Sequence, residues 1–117
     1  GSLIATKKWN GSEFVFVEPN FNWQSRAKAL NSELPLDMGD QMCGMVVQSL
    51  KITSSNSCEL TFKIPHTTSN LSSDEYTAVK NTVTGFVDLV ENELKHKPYV
   101  TGNLYDKNGT LIFSYKK

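Results

Sequence analysis

The stretch SSDEYTAVKNTVTGFVDLVENELKH, Ser72–His96, decides how the rest of the chain must be arranged. Tyr76, Val79, Val83, Phe86, Val87, Val90 and Leu94 recur at helical spacing and form one apolar stripe. Ser72 and Glu75 stand in the relation of a capping box, and Leu71 and Tyr76 bracket them as a hydrophobic staple. Asp74 and Glu75 lie at the positive end of the helix dipole, Lys95, His96 and Lys97 at the negative end, and Pro98 is the expected stop. A helix with a single apolar stripe has to lay it on a second layer. Gly85 costs about 1 kcal/mol against alanine in a helix interior, and its place beside the stripe predicts close approach to that layer.

The residues on either side supply the layer. MVVQSLKIT and CELTFKI alternate as two strands joined near Ser54–Ser55–Asn56. A register pairing Ile52 with Cys58 and Leu50 with Leu60 puts Val46, Leu50, Ile52, Cys58, Leu60, Phe62 and Ile64 on one face. Lys51, Glu59, Thr61 and Lys63 then take the other. The tail YVTGNLYDKNGTLIFSYKK reads as a second hairpin. A two-residue Asn108–Gly109 turn pairs Leu104 with Phe113 and Asp106 with Leu111, which gathers Val100, Leu104, Leu111, Phe113 and Tyr115 on one face.

Earlier in the chain, SEFVFVE is a strand pattern that can pair back to LIATKKW across Asn10–Gly11. Trp23, Ala27, Leu30 and Leu34 fall on one helical face, with Asn22 as N-cap and Pro35 as the stop. The expected fold class is therefore α+β: a single-layer antiparallel sheet of five to six strands with two helices on one face. A ferredoxin-like core built from Phe14–Val17, the first helix, the middle hairpin, the second helix and a tail strand is one such arrangement. A curved sheet wrapping the long helix is the other.

The 117 residues suffice for one domain. Gly1–Ser2 has the form of a purification-tag remnant, which leaves 3–117 as a single α+β domain. Leu3 would then follow a removed signal peptide, lipoprotein leader or membrane anchor, and the expected location is periplasmic or extracellular. Lys+Arg and Asp+Glu number 12 each, a balance that excludes the basic excess of a nucleic-acid binder and simple electrostatic docking to anionic membranes. No apolar run reaches a membrane span. Asn10, Asn70 and Asn108 head Asn-x-Ser/Thr triplets, which matter only in a eukaryotic secreted protein.

The sharpest chemical question is PLDMGDQMCGM, which holds Met38, Met42, Met45 and Cys43. Thioethers and a thiolate are soft ligands suited to Cu(I). The same spacing makes a short apolar stripe of flexible gap-fillers beneath the middle hairpin, and that reading is preferred. The hairpin register keeps Cys43 and Cys58 beyond disulfide reach, so two free thiols are expected. Extending the register outward brings Cys43 towards His66, the one thiol–imidazole pairing the sequence permits for a thiol enzyme. No phosphate loop, nucleophile elbow or paired metal-ligand spacing occurs, so no cofactor and no catalytic residue is assigned.

The reading that results is a small non-enzymatic binding module that docks on a partner protein as an accessory lipoprotein, secretion-system component or inhibitor. Met38, Met42, Cys43, Met45 and His66 are its candidate interaction or reactive surface. The alternative is a carrier of an apolar ligand or lipid in a cavity near Phe62, Phe86 and Val90.

Overall fold

The computed structural model describes residues 7–9, 14–16 and 21–117. Strands β1 (Lys7–Trp9) and β2 (Phe14–Phe16) pair antiparallel as a two-stranded sheet of their own. Helix α1 (Trp23–Asn31) follows, then β3 (Leu36–Asp37), β4 (Val46–Ser54), β5 (Ser57–Lys63), helix α2 (Ser73–Glu93), β6 (Tyr99–Tyr105) and β7 (Leu111–Lys116). The last five strands form one open sheet in the order β3-β4-β5-β6-β7. Residues of both helices join the inward side chains of this sheet in a single core, as the α+β reading requires.

Two features refine that reading. β5 and β6 are parallel, from Ser57↔Tyr99 to Lys63↔Tyr105, while their outer neighbours pair antiparallel. A long helix between two strands carries the chain back to the end where the first began, which is what a parallel pair needs. The direct β5–β6 pairing also rules out the ferredoxin-like arrangement, in which the Phe14 strand would lie between them. That strand pairs with β1 instead, Trp9 opposite Phe14 and Lys7 opposite Phe16. The expected Asn10–Gly11 turn and the Gly1–Ser2 remnant lie outside the described residues.

α2 has the expected cap: Ser72 Oγ accepts from the Glu75 N–H at 3.1 Å, and Glu75 Oε1 accepts from the Ser72 N–H at 2.8 Å. Val79, Val83, Val87, Val90 and Leu94 are buried, and Tyr76 donates its hydroxyl to the Ile112 carbonyl on β7 at 2.7 Å. The helix ends at Glu93, short of Pro98. Lys95 and His96 turn into the left-handed region, and the His96 N–H reaches the Glu91 carbonyl at 2.9 Å. α1 is capped by Asn22, whose side chain accepts from the N–H groups of Gln24 and Ser25. It stops at Asn31 and not at Leu34: the N–H groups of Glu33 and Leu34 bond the carbonyls three residues back, at Leu30 and Asn31, and the Ser32 hydroxyl donates to the Ala29 carbonyl.

Asn31 has another task. Its side-chain oxygen accepts the Leu50 N–H of β4 at 2.9 Å. β3 covers β4 only at Val46 and Val47, so the end of α1 blocks an otherwise open strand edge. Replacing Asn31 with Ala leaves that part-buried N–H without its partner, and a loss of about 1–2 kcal/mol is expected in chemical denaturation.

The hairpin registers hold at their centres and slip at their ends. Leu50 faces Leu60, and Ile52 faces Cys58. A bulge between Val47 and Ser49 then places Val46 opposite Lys63. Val47, fully buried, takes the core position expected of Val46, which is half-buried. A second irregularity at Thr53 leaves Ser54 opposite Ser57, tightening the turn to Ser55–Asn56. In the tail Leu104 faces Phe113 as expected, but the turn is the longer one. Asp106 O accepts from the Gly109 N–H, Asp106 N–H bonds Thr110 O, and Gly109 sits at φ +80°. A bulge at Ile112, opposite the Leu104–Tyr105 step, compensates, and Leu111 is left 50% exposed rather than on the core face.

Candidate functional site

Three regions of the surface hold the residues singled out by sequence. The first is the corner where Cys43 and His66 meet. Residues 40–42 form a 3-10 turn, after which Cys43 and Gly44 both take positive φ, at 57° and 75°. This double left-handed bend lays Gly44 against Pro65, close enough that a Cβ there would stand 3.0 Å from Pro65 Cγ. The strand pairing stops at Val46 and Lys63 after a bulge, so it is this bend, and not an unbroken register, that brings Cys43 and His66 to line one cavity of about 440 Å³ with Asp40, Asn70 and Glu75. No hydrogen bond joins the thiol to the imidazole among the described residues.

The electrostatics of this corner oppose nucleophilic chemistry. Burial and then the Glu75 carboxylate push the Cys43 thiol above its ordinary value, whereas a reactive cysteine needs it lowered. Cys58 lies on β5 six residues before Ile64, about 20 Å from the corner at strand rise, and both thiols are free. Burial pushes Cys58 up to about 11. Its thiol loses a proton more easily in the unfolded chain, so stability is expected to hold below pH 9.0, the ordinary value, and to fall as pH rises towards 11. Alkylation of the native protein at neutral pH is expected to be slow at both, with Cys43 reacting first and accelerating only in the alkaline range. Rapid modification of Cys43 at pH 7 would contradict this geometry.

The second region is the methionine turn. Met45 is fully buried in the core, while Met38 and Met42 are half-buried at its margin. Asp37 Oδ1 accepts the Gly39 N–H at 2.8 Å just ahead of the 3-10 turn, which itself has no side-chain cap. Thr82 Oγ1 of α2 lies 3.0 Å from Met42 Sδ and 2.9 Å from the Ala78 carbonyl, so its one proton is shared between the thioether and the stronger carbonyl acceptor. That sulfur rests against α2, and no cluster of three or more His, Cys, Asp or Glu side chains suited to a metal exists among the described residues.

Thr82 begins a stripe that the sequence reading missed. Thr82, Gly85, Phe86 and Leu89 fall at i, i+3, i+4 and i+7 on the flank of α2 that faces the methionine turn. One turn further on, Glu93 pairs with Arg26 of α1. Between these two anchors the flank is uncovered: Leu89 is 55% exposed, and nothing lies within 4 Å of where a Gly85 side chain would start. The available signal was Leu89 itself, an apolar residue off the core stripe. Gly85 is thus not the point of close approach; Gly102 of β6 is, hard against Val83 and Val87. The interface where a carrier cavity was expected is filled there, and Phe62 and Phe86 meet edge to face with centroids 5.8 Å apart.

The third region is the sheet face turned away from the helices. It carries Lys51, Glu59 and Lys63 as expected, together with Tyr99, Asn103 and Lys116. No helix among the described residues is long and apolar enough to cross a membrane.

The sequence matches no family model and no curated protein. The fold does match solved structures. A pilotin, EpsS, from the type 2 secretion system of Vibrio vulnificus superposes with a TM-score of 0.56 at 19% identity, over 80% of this chain and 82% of that one. The type II secretion system pilotin AspS from Vibrio cholerae superposes with a TM-score of 0.53 at 16% identity, over 81% of this chain and 84% of that one. What this chain shares with these pilotins at such identity is the fold.

Proposed function

We propose that this chain is a non-enzymatic docking protein of the pilotin type, an accessory subunit that binds the secretin of a type II secretion system in the periplasm. The observation that carries the reading is the likeness of fold to two pilotins, extending over at least 80% of each chain. The raised thiol at the Cys43 corner supports a role without chemistry. The balanced charge fits a protein partner better than a polyanion.

The contact surface in this reading is the uncovered flank of α2, with Leu89 at its centre and Met38, Met42 and Cys43 along its border. Thioether side chains repack at low cost, which suits a surface that must accept an apolar segment of a partner. Met45 takes no part because it is fully buried. The test is retention of purified secretin by the immobilised chain. Leu89→Glu is expected to weaken retention by about tenfold or more, with an unchanged melting temperature because Leu89 is half in solvent. Failure of the unmodified chain to retain the secretin would overturn the function. Retention that is indifferent to Leu89→Glu would move the contact elsewhere on the molecule.

A further inference from the structure

The open face of the sheet holds a depression of about 530 Å³ that docking at the α2 flank leaves unused. It is lined by Asn56, Glu59, Tyr99, Thr101, Asn103 and Lys116 from β5, β6, β7 and the β4–β5 turn. Tyr99 is 61% exposed, the most exposed large hydrophobic side chain among the described residues. Its cross-strand neighbour on this face is Ser57, and the next residue along its own strand on the same side is Thr101. Neither is large enough to cover an aromatic ring, so the ring stands as a bare apolar platform beside polar neighbours.

Those neighbours are held in place. The Asn103 amide donates to Glu59, and Ser114 Oγ donates to Asn103 Oδ1 at 2.7 Å, a chain running across β5, β6 and β7. At the turn, the Ser57 hydroxyl is within 2.7 Å of Thr53 Oγ1 and 2.6 Å of Ser54 Oγ. Polar groups fixed on strands need little reordering to meet a ligand. Charge in the depression cancels between Glu59 and Lys116, so neither a phosphate nor a polycation is favoured.

A ligand that fits offers one apolar face to an aromatic ring, a rim of hydroxyls to carboxylate, amide and hydroxyl partners, and no net charge. A pyranose ring has that chemistry. We propose that the depression around Tyr99 is a binding site for a neutral oligosaccharide, with the sugar stacked on Tyr99 and hydrogen-bonded to Glu59 and Asn103. The inference stands apart from the pilotin reading, since it concerns the opposite face of the sheet.

The experiment is titration of the isotope-labelled chain by NMR with chitotetraose and with cellotetraose, each up to about 10 mM, the weak range expected of a shallow site. Saturable shifts confined to Ser57, Glu59, Tyr99, Thr101 and Asn103 are expected. Tyr99→Ala should weaken binding at least tenfold, while Tyr99→Phe, which keeps the platform, should bind as the unmodified chain does. Chitotetraose acting alone would identify an amino-sugar chain as the ligand, and equal response to both would identify the unsubstituted ring. No shifts with either sugar, or shifts that persist in Tyr99→Ala, would overturn the proposal. Both variants alter an exposed side chain, and an unchanged amide spectrum away from β6 shows that they fold.

Discussion

Truncating Phe62 to Ala is expected to lower the unfolding free energy by about 3–5 kcal/mol, the range for a buried aromatic whose cavity cannot collapse. Phe62 is fully buried on β5, the central strand of five. Its ring meets Phe86 edge to face at an interplanar angle of 85°, and it crowds the backbone of Gly102 on the next strand. Strands flank it on both sides and α2 lies above, so no neighbour is free to move into the vacated space. Urea denaturation should show a large fall in midpoint with little change in slope. A loss below about 1 kcal/mol would mean that α2 does not press on β5 at this point.

The second large effect is expected at Gly102, and it inverts the usual logic of glycine replacement. A Cβ built on Gly102 would stand 2.5 Å from Val87 Cγ2 and 3.2 Å from both Phe62 Cε1 and Val83 Cγ1. None of these atoms is the end of a flexible chain. Two belong to β-branched residues with restricted rotamers on a helix, and the third to a ring already packed. Gly102→Ala should therefore cost about 1–3 kcal/mol through overpacking, despite the entropy that alanine saves in the unfolded state. Gly85→Ala is the matched control. Its Cβ would meet nothing within 4 Å, and helix propensity favours alanine, so stability should rise by about 1 kcal/mol. Thermal unfolding of the two variants side by side checks the seating of α2. Effects of equal sign would show that the helix does not rest on β6.

The mechanism of that seating explains which expectations from sequence survived. Where neighbouring residues along the chain decide the outcome, the reading was good. The capping box at Ser72 and Glu75 and the Asn22 cap are local hydrogen bonds between groups a few residues apart. The pairings Leu50–Leu60, Ile52–Cys58 and Leu104–Phe113 follow from alternation, since a slip of one residue would turn every apolar side chain into water. The meeting of Cys43 and His66 was legible only as a neighbourhood at the hairpin mouth, because the register breaks at a bulge before it gets there and the left-handed bend at Cys43 and Gly44 sets the final approach.

Bulges and turn lengths were less legible, because they come in compensating pairs. The three-residue turn at Lys107–Gly109 and the bulge at Ile112 cancel, and the strand centre looks the same with both as with neither. Ile112, Phe113 and Tyr115 still reach the core margin, while Leu111 is displaced into solvent. The bulge near Gln48 similarly exchanges Val46 for Val47 without disturbing Leu50. Two adjacent valines carry no signal of which one turns inward.

Periodicity and contacts within a few residues were enough to set the class of the fold, both helices with their N-terminal caps, the core stripe of α2 and the central register of each hairpin. Long-range packing settled the rest: that β5 and β6 pair directly in parallel, that Gly102 rather than Gly85 admits the helix, and that one flank of α2 around Leu89 stays uncovered. Each of these depends on which surfaces meet across more than twelve residues of chain, where glycine and leucine are locally the same residue whether they face a neighbour or water.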